Sequence, residues 1–544
     1  MMSSNFMMSR LQEVVKEAVQ NRLWNDILPQ PAFYLLAAPI LLLLIGALTT
    51  MILGVFKTAP EKPCYPSWYV AVFICFASAA LSIILKVETP TAFLGSGVLI
   101  DEISTISFTV IAIGTLFTLM ASSMTTIGKQ LLRSELISLL LMSSAGLMIM
   151  CAAGEFLGFF IGLELTSISL YVLVGYQRKS FQGMEAAIKY FILGAAASAI
   201  ILMGAALIYA SIGTVRFSDF RQLNISIEHP FSLLGVLLLF CGLSFKLAIA
   251  PFHSWAPDVY QGANSHLTGF MASLVKFSIA IVFMRILSTS LGEGNHTGLV
   301  AMFWILGAFS IVVGSLFGLV HNSLKRMLAY SSVANAGYFC LAFASLASNP
   351  TSLEAKQSLM SYAVIYAVLS MGAFTVIAWF EDNNREDLLK EELAGMGSKK
   401  PFAAFALTIF LFGFAGIPPV AGFFGKFFLL LSAVNQGLIG LSIILVVFSC
   451  LSLYYYLSVM VEMWFKPATR YSAQINQNSE TNSGMLTMCL IAVIASLFIG
   501  IFGPRWAINL NYTQATEKNL RIVNTAEVMT EQTQADNTVT HYPR

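Results

Sequence analysis

Charged residues are scarce in this chain. Of its 544 residues, 11% are charged and 57% are hydrophobic, and its mean hydropathy is +0.76. A water-soluble domain carries about 25% charged residues, so this composition excludes a soluble protein and indicates a membrane protein. The 30 basic residues nearly balance the 28 acidic ones. Because there is also no basic stripe and no zinc-finger spacing, nucleic-acid binding is excluded.

Motifs for metals and cofactors are also lacking. The seven cysteines are scattered, with no C-x-x-C and no histidine nearby at the spacing of metal ligands. No G-x-G-x-x-G follows a strand, and neither a P-loop nor a haem-attachment motif is present. We therefore expect this chain to bind no metal, nucleotide or redox cofactor. Any electrons involved are carried elsewhere.

Long apolar stretches follow one another along the chain, each close to the roughly 20 residues that a helix needs to cross a bilayer. They predict an all-α, polytopic membrane protein with about fourteen transmembrane helices. The predicted spans are 33–56, 67–86, 104–122, 135–153, 155–175, 186–212, 231–251, 266–286, 299–320, 327–347, 358–380, 403–432, 437–464 and 486–503. Residues 1–32 show no cleavable signal pattern, and residues 504–544 are predicted to be a polar tail.

The distribution of Lys and Arg predicts the orientation of these spans. The loops after odd-numbered spans hold fourteen of them, Lys325 and Arg326 included, whereas the other loops hold five, Arg285 and Lys356 included. Both termini are therefore expected on the outer side of the membrane.

Charges inside the spans are the main functional clue. The basic residues assigned there are Lys189, Lys246, Lys276 and Lys426. Glu164 is the clearest acid, and Glu185 precedes Lys189 by one helical turn. A charge at the bilayer centre costs about 2.5 to 3.5 kcal/mol. Snorkelling to the interface explains Lys189 and Glu185 as well as a function does, but Glu164 and the other three lysines have apolar sequence on both sides and are predicted to be functional.

Such lysines are suited to holding protons. Burial lowers the pKa of an ammonium group and a neighbouring carboxylate raises it, so the two together permit a change of protonation near neutral pH. Anion binding is the competing use of a fixed positive charge. It is disfavoured here because arginine, its usual residue, is assigned to no span interior.

Two spans should be broken in mid-membrane. Pro251 follows Lys246 closely and His253 comes just after it, while Pro418 and Pro419 precede Lys426. Proline removes a backbone hydrogen bond and clashes with the preceding turn. Interrupted helices at corresponding places in inverted halves point to a transporter's central site.

The two broken spans stand five apart in order. An odd offset reverses direction through the membrane, so spans four to eight and nine to thirteen are predicted to form inverted five-helix repeats, in which Glu164 corresponds to Asn335. The expected units are 33–134 for the first three helices, 135–286 and 299–464 for the repeats, and 486–503 for the last helix.

Five long motifs carry a family resemblance. They are FIGLELTSISLYVLVGY, EAAIKYFILGAAASA, FKLAIAPFHSWAPDVYQGA, LKRMLAYSSVANAGY and GFAGIPPVAGFFGKFFLL. Together they resemble the antiporter-like subunits of respiratory complex I, and most closely the subunit N family of bacterial NADH-quinone oxidoreductase. A lysine at position 426, instead of glutamate, favours this family over subunit M. The lack of a long amphipathic helix after the last span argues against subunit L.

The resemblance implies a non-redox subunit of a proton-translocating NADH:quinone oxidoreductase in a bacterial inner membrane. Glu164 would modulate the pKa of Lys246, Lys276 would connect the two halves, and Lys426 would be the terminal proton site. Secondary candidates are His253, Lys189 and Glu185. NADH, flavin, iron-sulfur clusters and quinone would be bound by partner subunits. The implied partners are membrane subunits of the M, K, J and L types and the lipid bilayer.

Two positions depart from the family pattern. Asn264, Ser265 and His266 stand where Pro-Thr-Pro is usual, so the start of span eight is expected to differ. Asn335 replaces a common histidine and cannot titrate, so a proton relay there needs water or a neighbour such as His321.

Two other functions remain open from the sequence. One is a sodium/proton antiporter of the same fold, and the other is a structural spacer whose lysines are idle. The sequence also does not identify the quinone. It leaves open whether electrons enter by NADH oxidation or through a ferredoxin or hydrogenase module.

Overall fold

The computed structural model describes residues 31–56, 62–85, 91–93, 97–177, 180–222, 229–291, 296–381, 387–468 and 483–502. All structural statements concern these residues. The segment before residue 31, the tail predicted from residue 504 and several loop cations lie outside them. Those cations are Lys57, Lys86, Arg178, Lys179, Arg385 and Arg470.

Within these residues the chain forms fourteen helical spans, as the apolar stretches predict. Thirteen are helices long enough to cross a bilayer, and the remaining span consists of two shorter apolar helices. The spans are α1 (Pro31–Val55), α2 (Tyr65–Ile84), α3 (Glu102–Met124), α4 (Ser134–Cys151), α5 (Phe156–Val174), α6 (Phe181–Ile212), α7a (Pro230–Leu247) with α7b (Trp255–Gly262), α8 (Ser265–Ser290), α9 (Thr297–Val320), α10 (Leu324–Ser348), α11 (Leu353–Phe380), α12a (Pro401–Ala415) with α12b (Ala421–Asn435), α13 (Ile439–Phe465) and α14 (Ser483–Phe502).

Polar side chains mark the helix starts. The Asp101 side chain accepts a hydrogen bond from Ser104 N at 2.9 Å at the start of α3. Ser323 and Ser352 cap α10 and α11 in the same way, through the backbone N–H groups of Arg326 and Ala355. These caps satisfy backbone donors that have no partner within the helix.

The loops alternate between two ends of the bundle. At one end, the odd-loop end, Ser323 in the loop after α9 pairs with Leu389 in the loop after α11. At the opposite end, the even-loop end, Glu155 after α4 pairs with Arg216 after α6. This alternation is what successive membrane crossings require.

A two-stranded antiparallel hairpin lies at the even-loop end. It consists of β1 (Thr91–Phe93) and β2 (Val98–Ile100), with Ala92 opposite Leu99. Val98 also pairs with Ala153 after α4, so the hairpin connects the first three helices to the first repeat.

The interior of the bundle is formed by α8, α10 and α11. α8 is buried along almost its whole length, whereas α1, α6 and α13 expose apolar faces suited to lipid. A π-helical turn, Met271–Val275, interrupts the α-helical pattern of α8 directly before Lys276.

Both predicted helix breaks are present. The residue directly after α7a, Ala248, has φ 58°, and the residue directly after α12a, Gly416, has φ 85°. In each span a proline, Pro251 or Pro419, follows this left-handed residue by three positions. The same local pattern in spans five apart agrees with the predicted repeat.

Corresponding helices also pack in corresponding pairs. α4 packs on α5 as α9 packs on α10, and α6 packs on α7a as α11 packs on α12a and α12b. The predicted residue limits of the units, 135–286 and 299–464, stay predictions.

Candidate functional site: buried lysines along the bundle interior

Lys246 lies in the last turn of α7a, directly before the break, and is 4% exposed. Its Nζ donates a hydrogen bond to Ser167 Oγ at 2.9 Å and lies 3.5 Å from the Tyr171 hydroxyl. Both partners are on α5 and both are neutral.

Glu164 lies on the same face of α5, one turn before Ser167 and two turns before Tyr171. Its carboxylate is near enough to Lys246 for a coulombic interaction. The buried Glu164 Oε1 has no hydrogen-bond partner in the described part of the chain. The predicted pair is therefore brought together, but not as a closed ion pair.

Lys276 follows the π turn of α8 and is 1% exposed. Its Nζ donates to the Ser332 carbonyl oxygen at 2.9 Å and to the Ser332 hydroxyl. It also lies 5.9 Å from the ring centroid of Tyr366. A buried ammonium with these neutral partners has no counter-ion among them.

Lys426 lies on α12b and is 7% exposed. Its Nζ donates to the carbonyl oxygens of Phe414 at 2.7 Å and Ala415 at 3.2 Å, which α12a leaves unpaired at its C-terminal end. It also donates to Ser449 Oγ at 3.3 Å and lies 5.0 Å from the ring centroid of Tyr338.

Lys246 and Lys426 do not occupy equivalent positions in the two units. When the left-handed residues Ala248 and Gly416 are aligned, Lys246 matches Phe414 and Lys426 matches Asp258. One lysine therefore precedes its helix break and the other follows it.

The middle of α10 connects Lys276 with Lys426. Ser332 contacts Lys276, and Tyr338, six positions and a rise of about 9 Å further on, contacts Lys426. The Tyr338 hydroxyl is also hydrogen-bonded to Ser449 at 2.9 Å.

Asn335 lies between these two contacts on α10. It accepts a hydrogen bond from the Tyr362 hydroxyl at 2.6 Å and donates to the Ser331 carbonyl at 2.7 Å. His321, suggested from the sequence as a neighbour of Asn335, lies before the start of α10 and stacks on Tyr330. The titratable side chain bonded to Asn335 is instead Tyr362.

Aromatic side chains fill the space between Lys246 and Lys276. Tyr171 packs edge-on against Tyr190, which stacks on Trp255 with 4.9 Å between ring centroids. Trp255 in turn contacts Tyr260 on α7b, whose buried hydroxyl lies near Ser332. Tyrosine side chains therefore lie between the two lysines.

The secondary candidates form a separate cluster near the odd-loop end. Lys189 contacts Glu185 and Asp258, each at 2.7 Å, and Arg326 contacts the other oxygen of Asp258. Lys189 is 42% exposed, which agrees with snorkelling. His253 lies beyond the helix break, with its ring 6.2 Å from that of Tyr330 and its buried Nδ1 unbonded among the described residues.

Two buried ion pairs were missed from the sequence. Arg285, assigned to a loop, lies inside α8 and donates to both oxygens of Asp101 at 2.6 and 3.0 Å. Lys325, also assigned to a loop, lies on α10, 3.1 Å from Glu381. The statement that no arginine lies within a span was wrong. Pairing with a carboxylate neutralises such a charge and makes its burial tolerable.

Two further loop assignments were also wrong. Arg326 is in the first turn of α10, and Lys356 is a buried residue of α11. No sequence pattern marked the acids that meet Arg285 and Lys325, because both partners are distant along the chain.

The unusual segment before α8 serves as a cap and a connection. Asn264 accepts a hydrogen bond from His266 N at 3.0 Å and so caps the helix. Ser265 donates to Glu381, and His266 Nε2 lies 2.8 Å from the Thr125 hydroxyl after α3. These contacts take the place of the usual proline-rich start.

Metal ligands are not clustered in the described part of the chain. No three or more His, Cys, Asp or Glu side chains there are placed to hold a metal ion. The functional groups that the structure brings together are amines, hydroxyls and carboxylates.

Broken helices and lysines in the interior of a multi-span bundle define an antiporter-like membrane subunit. The family described as "NADH:quinone oxidoreductase/Mrp antiporter, TM" matches residues 153–452. NADH-quinone oxidoreductase subunit N of Trichlorobacter lovleyi is 40% identical over 61% of this chain and 68% of its own length. Its counterpart from Bdellovibrio bacteriovorus is 33% identical over 86% of this chain and 96% of its own length.

A solved structure agrees with these relatives. A chain of respiratory complex I from Thermus thermophilus is 28% identical, with a TM-score of 0.71 over 85% of this chain and 97% of its own. The present chain belongs to the NADH-quinone oxidoreductase subunit N family.

Proposed function

We propose that this chain is the proton-translocating, non-redox membrane subunit of a NADH:quinone oxidoreductase. The observation that carries the proposal is the environment of Lys276, whose Nζ is buried and held by the two oxygens of Ser332. Since neither oxygen carries a charge, the free energy of the ammonium state depends on charges nearby. A change in those charges can therefore load or release a proton.

The first step of the relay is a change in the protonation of Lys246. Glu164 is near this lysine without closing an ion pair, so a change at Glu164 alters the stability of the Lys246 ammonium. Ser167 and Tyr171 keep the amine in place while its charge changes. A proton taken up from the odd-loop end, which we take as the cytoplasmic side, then reaches Lys246.

From Lys246 the proton passes to Lys276 and is held at Lys426. The tyrosines between the first two lysines, and Ser332 and Tyr338 on α10 between the last two, provide hydroxyl groups along the way. Buried hydroxyls of Ser244, Ser370 and Ser432 have no protein partner in the described residues. Water commonly meets such a need and would complete the relay.

Electron transfer takes place in partner subunits, which would hold NADH, flavin, iron-sulfur clusters and quinone. The proposed partners are membrane-arm subunits of the M, K, J and L types in a bacterial inner membrane. Both termini would lie on the outer side, because the odd-numbered loops carry the excess of Lys and Arg.

Anion transport is not favoured by the buried cations. Arg285, the residue best suited to bind an anion, is already occupied by Asp101.

A sodium/proton antiporter is the second candidate, since the matching family description includes Mrp antiporters. Sodium requires oxygen ligands, whereas the interior sites at Lys246, Lys276 and Lys426 present ammonium donors. Glu164 contributes a carboxylate beside Lys246 alone. The chemistry of the site therefore favours protons.

The experiment that tests the proposal uses Lys246→Ala and Lys276→Ala in the assembled complex. Proton uptake driven by NADH in proteoliposomes should be lost while assembly on native gels is unchanged. Normal pumping in both variants would identify the chain as a structural spacer. Sodium-dependent transport by the purified chain alone would favour the antiporter.

A further inference from the structure

A buried ion pair lies where α8 begins at the odd-loop end. The side chains of Lys325 and Glu381 are each 2% exposed. Lys325 is in the first turn of α10, and Glu381 directly follows α11. Ser265, the first residue of α8, donates a hydrogen bond to the second carboxylate oxygen of Glu381. Three helices of the bundle interior therefore meet at one carboxylate.

This pair has a polar connection to the surface. Asp387, in the loop after α11, is partly exposed and accepts hydrogen bonds from Gln261 at 2.6 Å and Ser323 at 2.7 Å. It lies near enough to Glu381 for a coulombic interaction. A surface acid thus stands directly outside a buried one.

The Lys325–Glu381 pair lies on the same side of α10 as the residue that holds Lys276. Lys325 and Ser332 are seven positions apart on α10, which places them on one face about 10.5 Å apart. Ser332 is the residue that holds Lys276. Thr268 on α8 and the buried hydroxyl of Tyr260, which lies near Ser332, add polar groups to this stretch.

Opposing interactions act on the pKa of Glu381. Burial raises the pKa of its carboxyl group, and the nearby Lys325 ammonium and the hydrogen bond from Ser265 lower it again. The negative charge of Asp387 in the loop raises the pKa of Glu381, as burial does. The groups that face this carboxylate therefore come from α8, α10 and the loop after α11.

We propose that Glu381 takes up protons at the odd-loop end and delivers them toward Lys276. The second five-helix unit would then have an uptake site separate from Glu164 and Lys246. A proton from bulk water binds the Glu381 carboxylate and weakens its pairing with Lys325. The neutral acid then releases a proton to the hydroxyl groups of Thr268, Tyr260 and Ser332, and the unprotonated amine of Lys276 takes up a proton from the far end of this series, which restores the carboxylate and the ion pair. This inference rests on the proposed function.

A purely structural ion pair is the rival explanation. Removing one partner would leave the other charge buried and unpaired, which is strongly destabilising, whereas removing both is often tolerated. The test therefore uses the double variant Lys325→Met/Glu381→Gln in the full complex. The control is Asp101→Asn/Arg285→Met, which removes the buried ion pair at the even-loop end.

NADH-driven proton pumping in proteoliposomes is measured for both double variants, together with assembly. We expect both to assemble, and Lys325→Met/Glu381→Gln to pump about tenfold more slowly than wild type, while the control pumps at the wild-type rate. Wild-type pumping in both would overturn the inference. So would equal losses in both, because removal of either buried pair would then have the same effect.

Glu381→Asp decides the question if the double variant does not assemble, because it keeps the charge and shortens the side chain by one methylene. A lower pumping rate with a shifted pH profile supports proton uptake, and a wild-type rate and profile overturn it. Normal pumping in Lys246→Ala and Lys276→Ala would instead overturn the proposed function. If those two variants are inactive while the double variant pumps normally, the uptake site alone is rejected.

Discussion

Lys426 donates a 2.7 Å hydrogen bond across a helix break, to the carbonyl oxygen of Phe414. The lysine belongs to α12b and the carbonyl to the last turn of α12a. The C-terminal end of a helix carries a partial negative charge, so α12a stabilises the ammonium without a carboxylate. The geometry of the break therefore influences the charge state of Lys426.

Gly416→Ala should disturb this arrangement. Gly416 has φ 85°, and a Cβ there would lie 3.1 Å from Lys426 Cδ. The left-handed backbone costs a non-glycine residue about 1 to 2 kcal/mol, and the added methyl group displaces the lysine. We expect NADH-driven pumping to fall by about tenfold, equivalent to about 1.4 kcal/mol in the barrier.

Gly437→Ala is the matched control for this substitution. Gly437 has φ 77°, and a Cβ at this residue would have no described atom within 4 Å, so the backbone cost is similar and Lys426 is untouched. Equal losses of pumping in the two variants would show that backbone strain, and not the lysine, is responsible.

Lys246→Arg should impair pumping although it keeps the positive charge. A guanidinium group stays protonated at any physiological pH, so it cannot release a proton. We expect a loss of about a hundredfold in NADH-driven pumping with normal assembly. Lys466→Arg, at an exposed lysine paired with Glu462, is the control and should pump normally. Substantial pumping by Lys246→Arg would rule out deprotonation of this residue.

Asp101→Asn alone should destabilise the protein strongly. Arg285 is 3% exposed, so the substitution leaves its guanidinium buried without a carboxylate. Breaking a buried pair in this way costs about 3 to 5 kcal/mol. Thermal unfolding of the purified complex, compared with Asp101→Asn/Arg285→Met, measures the effect. The prediction fails if the single variant is as stable as the double variant.

The raised pKa of Glu381 predicts a pH dependence of stability. Burial, opposed by Lys325, raises this pKa above its ordinary value of 4.5. Between the unfolded and folded pKa values, the folded state binds the proton that the unfolded state has lost. Stability therefore falls as pH rises through this window.

The comparison for this prediction is with Lys325→Met/Glu381→Gln, which removes the titrating carboxyl group without leaving Lys325 buried and unpaired. Wild-type stability, measured by thermal unfolding from about pH 4 upward, should fall more steeply with pH than that of the variant. Parallel curves would contradict a raised pKa.

The sequence predicts the number of spans and both breaks because these features are local. Apolar runs of sufficient length define the helices, and Pro251 and Pro419 mark the interruptions. Lys246, Lys276 and Lys426 could likewise be found from their apolar neighbours, and all three are buried.

Long-range pairing could not be predicted in the same way. Asp101 and Arg285 are 184 positions apart, and Ser265 and Glu381 are 116 apart. Nothing in the local pattern around any of them indicates its partner. The assignment of Arg285 and Lys325 to loops was wrong because a charge near a helix end looks solvent-exposed until the acid that covers it is known.

The π turn Met271–Val275 sets the direction in which Lys276 points. Each residue of an α-helix rotates the chain by about 100°, and a wider turn alters that rotation for everything downstream. A helical-wheel projection drawn from Ser265 without this correction would therefore aim the lysine at the wrong neighbour. Insertion or deletion of a single residue within this turn would be more disruptive than most substitutions, because it would swing the amine away from Ser332.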